Sequence, residues 1–334
     1  THLDRCLTCR SCETTCPSGM EYGHLIDIGR GLVEQEVRRT TTDRASRWLL
    51  RSVLSRPRLF AIALTVGQTL RPLLPSALRT AIPPRQRPAA RPTTQHARTM
   101  LVLEGCAQSA ATPNTNAAAR RVLDKLGITL IAAPRAGCCG AVNYHLGAHA
   151  DGLDNMRRNI DAWWPHIENG IEAIVNSASG CGSLLAQYGQ LLSHDPAYAQ
   201  KARRVSELNR DIGEVLLRED LGKLGINTAQ GKIAVHTPCT LQHALALPEL
   251  VSDLLLRAGF DLAHTTDGHL CCGSAGTYSV LQAAASKRLR EKKLAALTGD
   301  APALIATANV GCQLHMQAAT AIPVVHWIEL LDAG

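Results

Sequence analysis

Two stretches decide the fold: "ITLIAAPRAGCCG", residues 128–140, and "FDLAHTTDGHLCCGSAG", residues 260–276. Each opens as an apolar, β-like run and ends in a Cys-Cys-Gly triplet. The same ladder surrounds both. In the first copy 31 residues separate Cys106 from Cys138 and 41 separate Cys139 from Cys181. In the second, 31 separate Cys239 from Cys271 and 39 separate Cys272 from Cys312. Two matching ladders in one chain mark an internal duplication.

β-like runs at Met100–Leu103, Ile128–Ala132, Ala173–Val175, Ile233–His236, Phe260–His264 and Leu304–Ala306 each end shortly before a cysteine. Helix-like stretches such as "NTNAAARRVLDKLG" and "LQAAASKRLREKKLAAL" lie between them. Strands alternating with helices predict an α/β fold with two lobes of parallel character. Ligands of open α/β sheets sit outside the carboxyl ends of the strands, so the cysteine-bearing loops of each lobe should converge. Each lobe then offers four thiols: Cys106, Cys138, Cys139 and Cys181, and Cys239, Cys271, Cys272 and Cys312. Four soft ligands suit zinc or an iron–sulfur cluster, whereas inert buried cysteine is the plain alternative. Gly140 and Gly273 fit a tight turn around such a site. His315 stands where a C-x2-C pair would place a second ligand, and Leu184 holds that place in the first copy; for His145, His236 and His243 a structural role is the plainer reading, with ligand or proton donor as the alternative.

Ahead of the ladders lies "CLTCRSCETTCPSG", residues 6–19. Cys6, Cys9, Cys12 and Cys16 follow the C-x2-C-x2-C-x3-C-P spacing of an iron–sulfur run, in which the fourth cysteine serves a neighbouring cluster. Zinc ligands more often come as two separated pairs. No second such run occurs in the chain. Leu25, Ile28, Leu32, Val33 and Val37 recur at helical spacing, predicting a helix that packs beside this site.

The twelve cysteines of this 334-residue chain are clustered rather than spread, which favours metal ligands in a reducing compartment over a disulfide scaffold. Residues 38–98 carry thirteen Arg, no Lys and one acid, Asp43, a net +12 that leaves −5 for the remainder of a +7 chain. Pro57, Pro72 and Pro75 cut this segment into short amphipathic helices, and Pro83 to Arg98 reads as an extended linker. Its arginines suit anionic lipid headgroups or an acidic partner, while no aromatic interleaving points to nucleic acid. No apolar run is long enough to span a bilayer. No hydrolase triad, phosphate loop or dinucleotide fingerprint is present. The organisation expected is 1–40 as a cluster segment, 41–98 as basic helices and linker, 99–230 as the first lobe and 231–334 as the second.

The stretches "HLDRCLTCRSCETTCPSG", "EGCAQ", "AGCCGAV", "NIDAWWP", "SASGCG", "CTLQHA", "HLCCGSAGTY", "TANVGCQ" and "HWIEL" together resemble the iron–sulfur subunits of bacterial glycolate oxidase, or glycolate dehydrogenase. The lobes are similar to the cysteine-rich CCG domains of heterodisulfide reductase. The resemblance implies an α-helical, ferredoxin-type segment whose other cysteine run lies ahead of Thr1, so that the segment is incomplete here. It further implies that Cys6, Cys9 and Cys12 bind one [4Fe–4S] cluster and that Cys16 reaches a second. The implied role is to pass electrons from a flavin-binding subunit, which oxidises the hydroxyacid, toward membrane quinone. That places the chain in the cytoplasm, peripheral on the inner face of the membrane. Relatives with non-cubane clusters end each ladder in C-x2-C. This chain has "CGSL" and "CQLH" there, four thiols instead of five, which favours one alternative, a zinc-holding structural adaptor, and counts against another, a thiol–disulfide reductase.

Overall fold

A computed structural model describes residues 2–332. Among the described residues seven strands form two sheets: β1 (Arg98–Leu103), β2 (Ile128–Ile131), β3 (Ile174–Asn176), β4 (Asn209–Asp211), β5 (Ile233–His236), β6 (Leu304–Thr307) and β7 (Val324–His326). The first sheet runs β2-β1-β3-β4 and the second β5-β6-β7, every pairing parallel. The two orders are one order. A single parallel bridge between Ile233 and Leu262 occupies, beside β5, the place that β2 occupies beside β1.

The strand expected over Phe260–His264 is therefore reduced to that bridge. Its ladder stops because the His264 N–H is taken by the Asp300 carboxylate at 3.1 Å, and Asp300 is itself held by Lys232. β4 and β7 are too short, at three residues each, to show a period in the sequence. Both complete their sheets at the edge beyond the central strand pair.

The strands are apolar because helices cover them. Leu101, Ile128, Ile174, Ile233 and Ile305 are fully buried. One core crosses from lobe to lobe, joining Val122, Leu123 and Ile212 of the first to Leu254, Trp327 and Ile328 of the second. Polar contacts fix the same seam. The Ser179 N–H donates to the Ala308 carbonyl at 3.2 Å. The Thr115 hydroxyl donates to Glu329 at 2.7 Å, and Arg121 pairs with Asp332. His326 Nε2 donates to the Ser177 carbonyl at 2.6 Å while its Nδ1 accepts from the Ile328 N–H.

Before the sheets come α1 (Ser11–Thr15), α2 (Tyr22–Glu36), α3 (Thr41–Leu54) and α4 (Pro57–Leu70). Thr40 caps α3 by accepting from the Asp43 N–H, and Pro57 opens α4 at a position where its missing N–H costs nothing. α2 forms as its spacing predicts, but its apolar stripe faces outward: Leu25, Ile28 and Leu32 are 50, 47 and 55% exposed. The buried face is Gly23, Asp27 and Gly31. It packs because glycine admits the Arg10 side chain and the His149 ring at close range, and because Asp27 accepts from His145 Nδ1 at 2.9 Å. Not all of the basic segment is free, either. Arg39 and Arg47 turn inward to Asp4 and Asp43.

Burial holds His326 neutral, with its pKa pushed down to about 4, and the Ser177 contact only partly offsets this. A buried base with a depressed pKa stabilises the fold above its unfolded pKa of about 6.5 and loses that contribution as pH falls through the folded value. Thermal stability should therefore drop between pH 6.5 and 4 by on the order of 3 kcal/mol from this group. The comparison is Tm against pH for wild type and His326→Gln, and parallel curves would refute the assignment.

Candidate metal centres

All the ladder cysteines stand beyond the carboxyl ends of parallel strands: Cys106 after β1, Cys138 and Cys139 after β2, Cys181 after β3, Cys239 after β5 and Cys312 after β6. Cys271 and Cys272 follow the Leu262 bridge. The structure brings each quartet together. In the first lobe the thiols lie in electrostatic reach of one another in the sequence Cys106–Cys138–Cys139–Cys181. In the second the sequence is Cys239–Cys271–Cys272–Cys312.

Each quartet stabilises one thiolate. The thiols of Cys106 and Cys139 hold Cys138 well below the usual thiol range, assisted by the Gly140 N–H at 3.4 Å and by Arg158. The donors become weaker acids in return: Cys106 and Cys139 are pushed up, first by bonding Cys138 and then by burial. In the second lobe Cys239, Cys272, the Gly273 N–H at 3.4 Å and His236 hold Cys271 down to about 3. Cys239 and Cys272 rise for the same reason as their counterparts. Donor softness, burial and N–H···S bonds fit a thiophilic metal in either lobe.

The glycine after each Cys-Cys pair has a geometric reason. Gly140 has φ +101° and Gly273 φ +85°. An added Cβ would lie 2.8 Å from the Gly152 carbonyl oxygen and 2.5 Å from that of Ser286. The helix carrying those carbonyls then closes each site. Seven residues beyond Gly152, buried Asn159 donates to the Cys138 carbonyl at 3.0 Å. Seven beyond Ser286, buried Lys293 donates to the carbonyls of Asp267 and Gly268 at 3.2 and 3.1 Å.

The amino-terminal run divides three plus one. Cys9 faces Cys6 and Cys12, and burial pushes its thiol up. Cys16 sits apart with Ser18 and Tyr22, and the Ser18 hydroxyl together with the N–H groups of Met20 and Ser18 lowers it to about 7. Thr8 and Arg10 take left-handed φ of 54° and 59°, bending the C-x2-C-x2-C loop so that main-chain N–H groups point at sulfur, as Thr8 does to Cys6 at 3.4 Å. Such concave N–H clusters bind anions. The loop is tied on all sides. Arg30 donates to the Cys6 carbonyl at 2.7 Å, Arg10 to Gln187 of the first lobe at 2.6 Å, and Thr14 bonds His243 of the second at 2.9 Å. Cys9 lies within electrostatic reach of Cys239 and Cys271. This donor set fits an iron–sulfur cluster.

The histidines part company. His145 belongs to Asp27 and His243 to Thr14. His315 does not take the ligand place its spacing suggests, because its Nε2 donates to the Ser286 hydroxyl at 3.0 Å. His236 does: one of its ring nitrogens and the sulfurs of Cys272 and Cys312 all lie within 4.8 Å of one another, among buried residues. Only its place three residues before Cys239 signalled this in the sequence.

Residues 100–186 and 233–317 match the family described as CCG: Cysteine-rich domain, one match per lobe. The chain is 52% identical to the glycolate oxidase iron-sulfur subunit of Escherichia coli, over 99% of this chain and 81% of that protein. The chain belongs to that iron–sulfur subunit family. Other relatives match at lower identity. The probable glycolate oxidase iron-sulfur subunit of Bacillus subtilis is 28% identical over 94% of this chain and 77% of its own length. Lactate utilization protein A of Bacillus subtilis is 26% identical over 66% of this chain and 93% of its own length.

The CCG glycines supply a direct check of the turn geometry. Gly140→Ala and Gly273→Ala should each cost on the order of 3 kcal/mol through left-handed strain and the carbonyl contact. Gly299→Ala, with open space around it and no positive φ, should be nearly neutral in urea unfolding. Equal effects at the three positions would contradict the account.

Proposed function

We propose that this chain is the electron-transfer subunit of a complex that oxidises glycolate or a similar 2-hydroxyacid. The observation that carries the reading is the three-plus-one layout of Cys6, Cys9, Cys12 and Cys16 in a loop seated against both lobes. A [4Fe–4S] cluster held by Cys6, Cys9 and Cys12 supplies reversible one-electron storage. The chain's own residues bind and shield it. Main-chain N–H groups at Thr8 and Ser11 bond the sulfurs, Arg30 fixes the loop, and Cys16 faces away to serve a neighbouring cluster. Each lobe adds a cluster of four soft donors. Hydroxyacid chemistry belongs to a flavin-binding partner.

Electrons then pass toward quinone at an anionic membrane surface. Support comes from α3 and α4, which expose Trp48 (61%), Leu49, Ile62 and Val66, and from Leu73 (82%) just beyond them, beside exposed Arg44, Arg56, Arg58 and Arg79. Apolar anchors among arginines suit an interfacial helix pair. No helix among the described residues is long and apolar enough to cross a membrane.

The full-length protein, purified anaerobically, should carry iron and acid-labile sulfide that bleach on reduction, and Cys9→Ser should lose about four of each. Colourless wild-type protein after reconstitution would end the electron-transfer reading. Changing Arg44, Arg56, Arg58 and Arg79 together to Gln should weaken co-sedimentation with phosphatidylglycerol vesicles by two or more orders of magnitude, at about 1 kcal/mol per charge. Unaltered binding would assign this face to a protein partner.

A further inference from the structure

The two lobes share a topology but not a donor set. Three residues before the first ladder cysteine stands Leu103 in one lobe and His236 in the other. His236 is fully enclosed, and Thr307 hydrogen-bonds its Nδ1 at 2.9 Å, which leaves Nε2 as the ring nitrogen open to a metal. A second partner that fixes the ring of a histidine is the usual support for an imidazole ligand. In the first lobe the place of Thr307 belongs to Asn176, which bonds Asn209 and the Arg210 carbonyl instead. Among the described residues, His236, Cys272 and Cys312 are the one group of three such donors within mutual ligating range. Cys271 adjoins Cys272, and the Asn309 amide donates to Cys312 Sγ at 3.7 Å.

We propose that the second lobe binds a single zinc ion through His236, Cys272 and Cys312, a site the first lobe does not reproduce. Two thiolates and one imidazole, with the fourth position left to an exogenous donor, match the tetrahedral preference of a d10 ion. Buried Lys293 covers the site from the neighbouring helix, donating to the carbonyls of Asp267 and Gly268. Neutral Asn159 holds the corresponding place in the first lobe, where Arg158 approaches Cys138 from a half-buried position.

This inference does not depend on the electron-transfer reading, and its test separates the two. Zinc, iron and acid-labile sulfide are measured per chain on the full-length protein and on His236→Leu, Cys312→Ser and Cys139→Ser. About one zinc is expected in wild type, retained in Cys139→Ser and lost at least tenfold in the two second-lobe variants, with the iron and sulfide of the amino-terminal run unchanged in all. Absence of zinc from wild type, its retention in the second-lobe variants, or its loss in Cys139→Ser overturns the proposal. Wild-type protein without iron would count against the electron-transfer reading alone. Should His236→Leu fail to fold, cobalt-substituted wild type and His236→Gln decide. Intense tetrahedral absorption with thiolate charge-transfer bands, shifted in the variant, is expected. A weak octahedral spectrum, or one that His236→Gln leaves unshifted, overturns the site.

Discussion

Sulfur donors gathered at the edge of an apolar core are the constraint around which this molecule is arranged. Cys138 is buried and Cys271 half-buried, and neighbouring groups lower both thiols below their usual range. A buried polar group without partners costs stability, so each is surrounded by donors. Neighbouring thiols come first, then the N–H of the following glycine, then a cation or imidazole. That arrangement exists only because parallel strands deliver loops to one sheet edge. The glycine must adopt positive φ there, so the main chain can curl back over the sulfur while the covering helix approaches at carbonyl distance.

The lobes are not separate beads. Their common apolar core and the contacts of Ser179 with Ala308 and of His326 with Ser177 make one body. The amino-terminal cysteine loop occupies the junction, fixed by Arg10 to one lobe and by Thr14 to the other. Its place against Cys239 and Cys271 follows from that joint attachment. The two strained residues, Thr8 and Arg10, are tolerated because Arg30 and Gln187 hold the loop from outside.

Charge and apolarity in the helical segment divide differently from what their totals suggest. Arg39 and Arg47 are engaged by Asp4, Glu34 and Asp43, tying α3 to the start of the chain. Arg44 and Arg58, both exposed, stand one helical turn from Trp48 and Ile62, so part of the free basicity coincides with the uncovered apolar surface. α2 reverses the usual rule, burying glycine and aspartate while presenting leucine and isoleucine outward.

By itself the sequence determined the duplication, the parallel α/β class and all three cysteine sets, because those depend on spacing and on apolar runs that are local in the chain. It also placed most strands within a residue or two. It could not determine which face of α2 is buried, since that was decided by Gly31 meeting His149 and Asp27 meeting His145 across 118 residues. The strand at Phe260–His264 was lost to Asp300, 36 residues from His264. The choice of His236 over His315 was likewise tertiary. Both stand three residues from a ladder cysteine, but Ser286 draws one ring away while Thr307 turns the other toward Cys272 and Cys312. Local spacing fixes which residues approach a site, and long-range packing decides which of them turn into it.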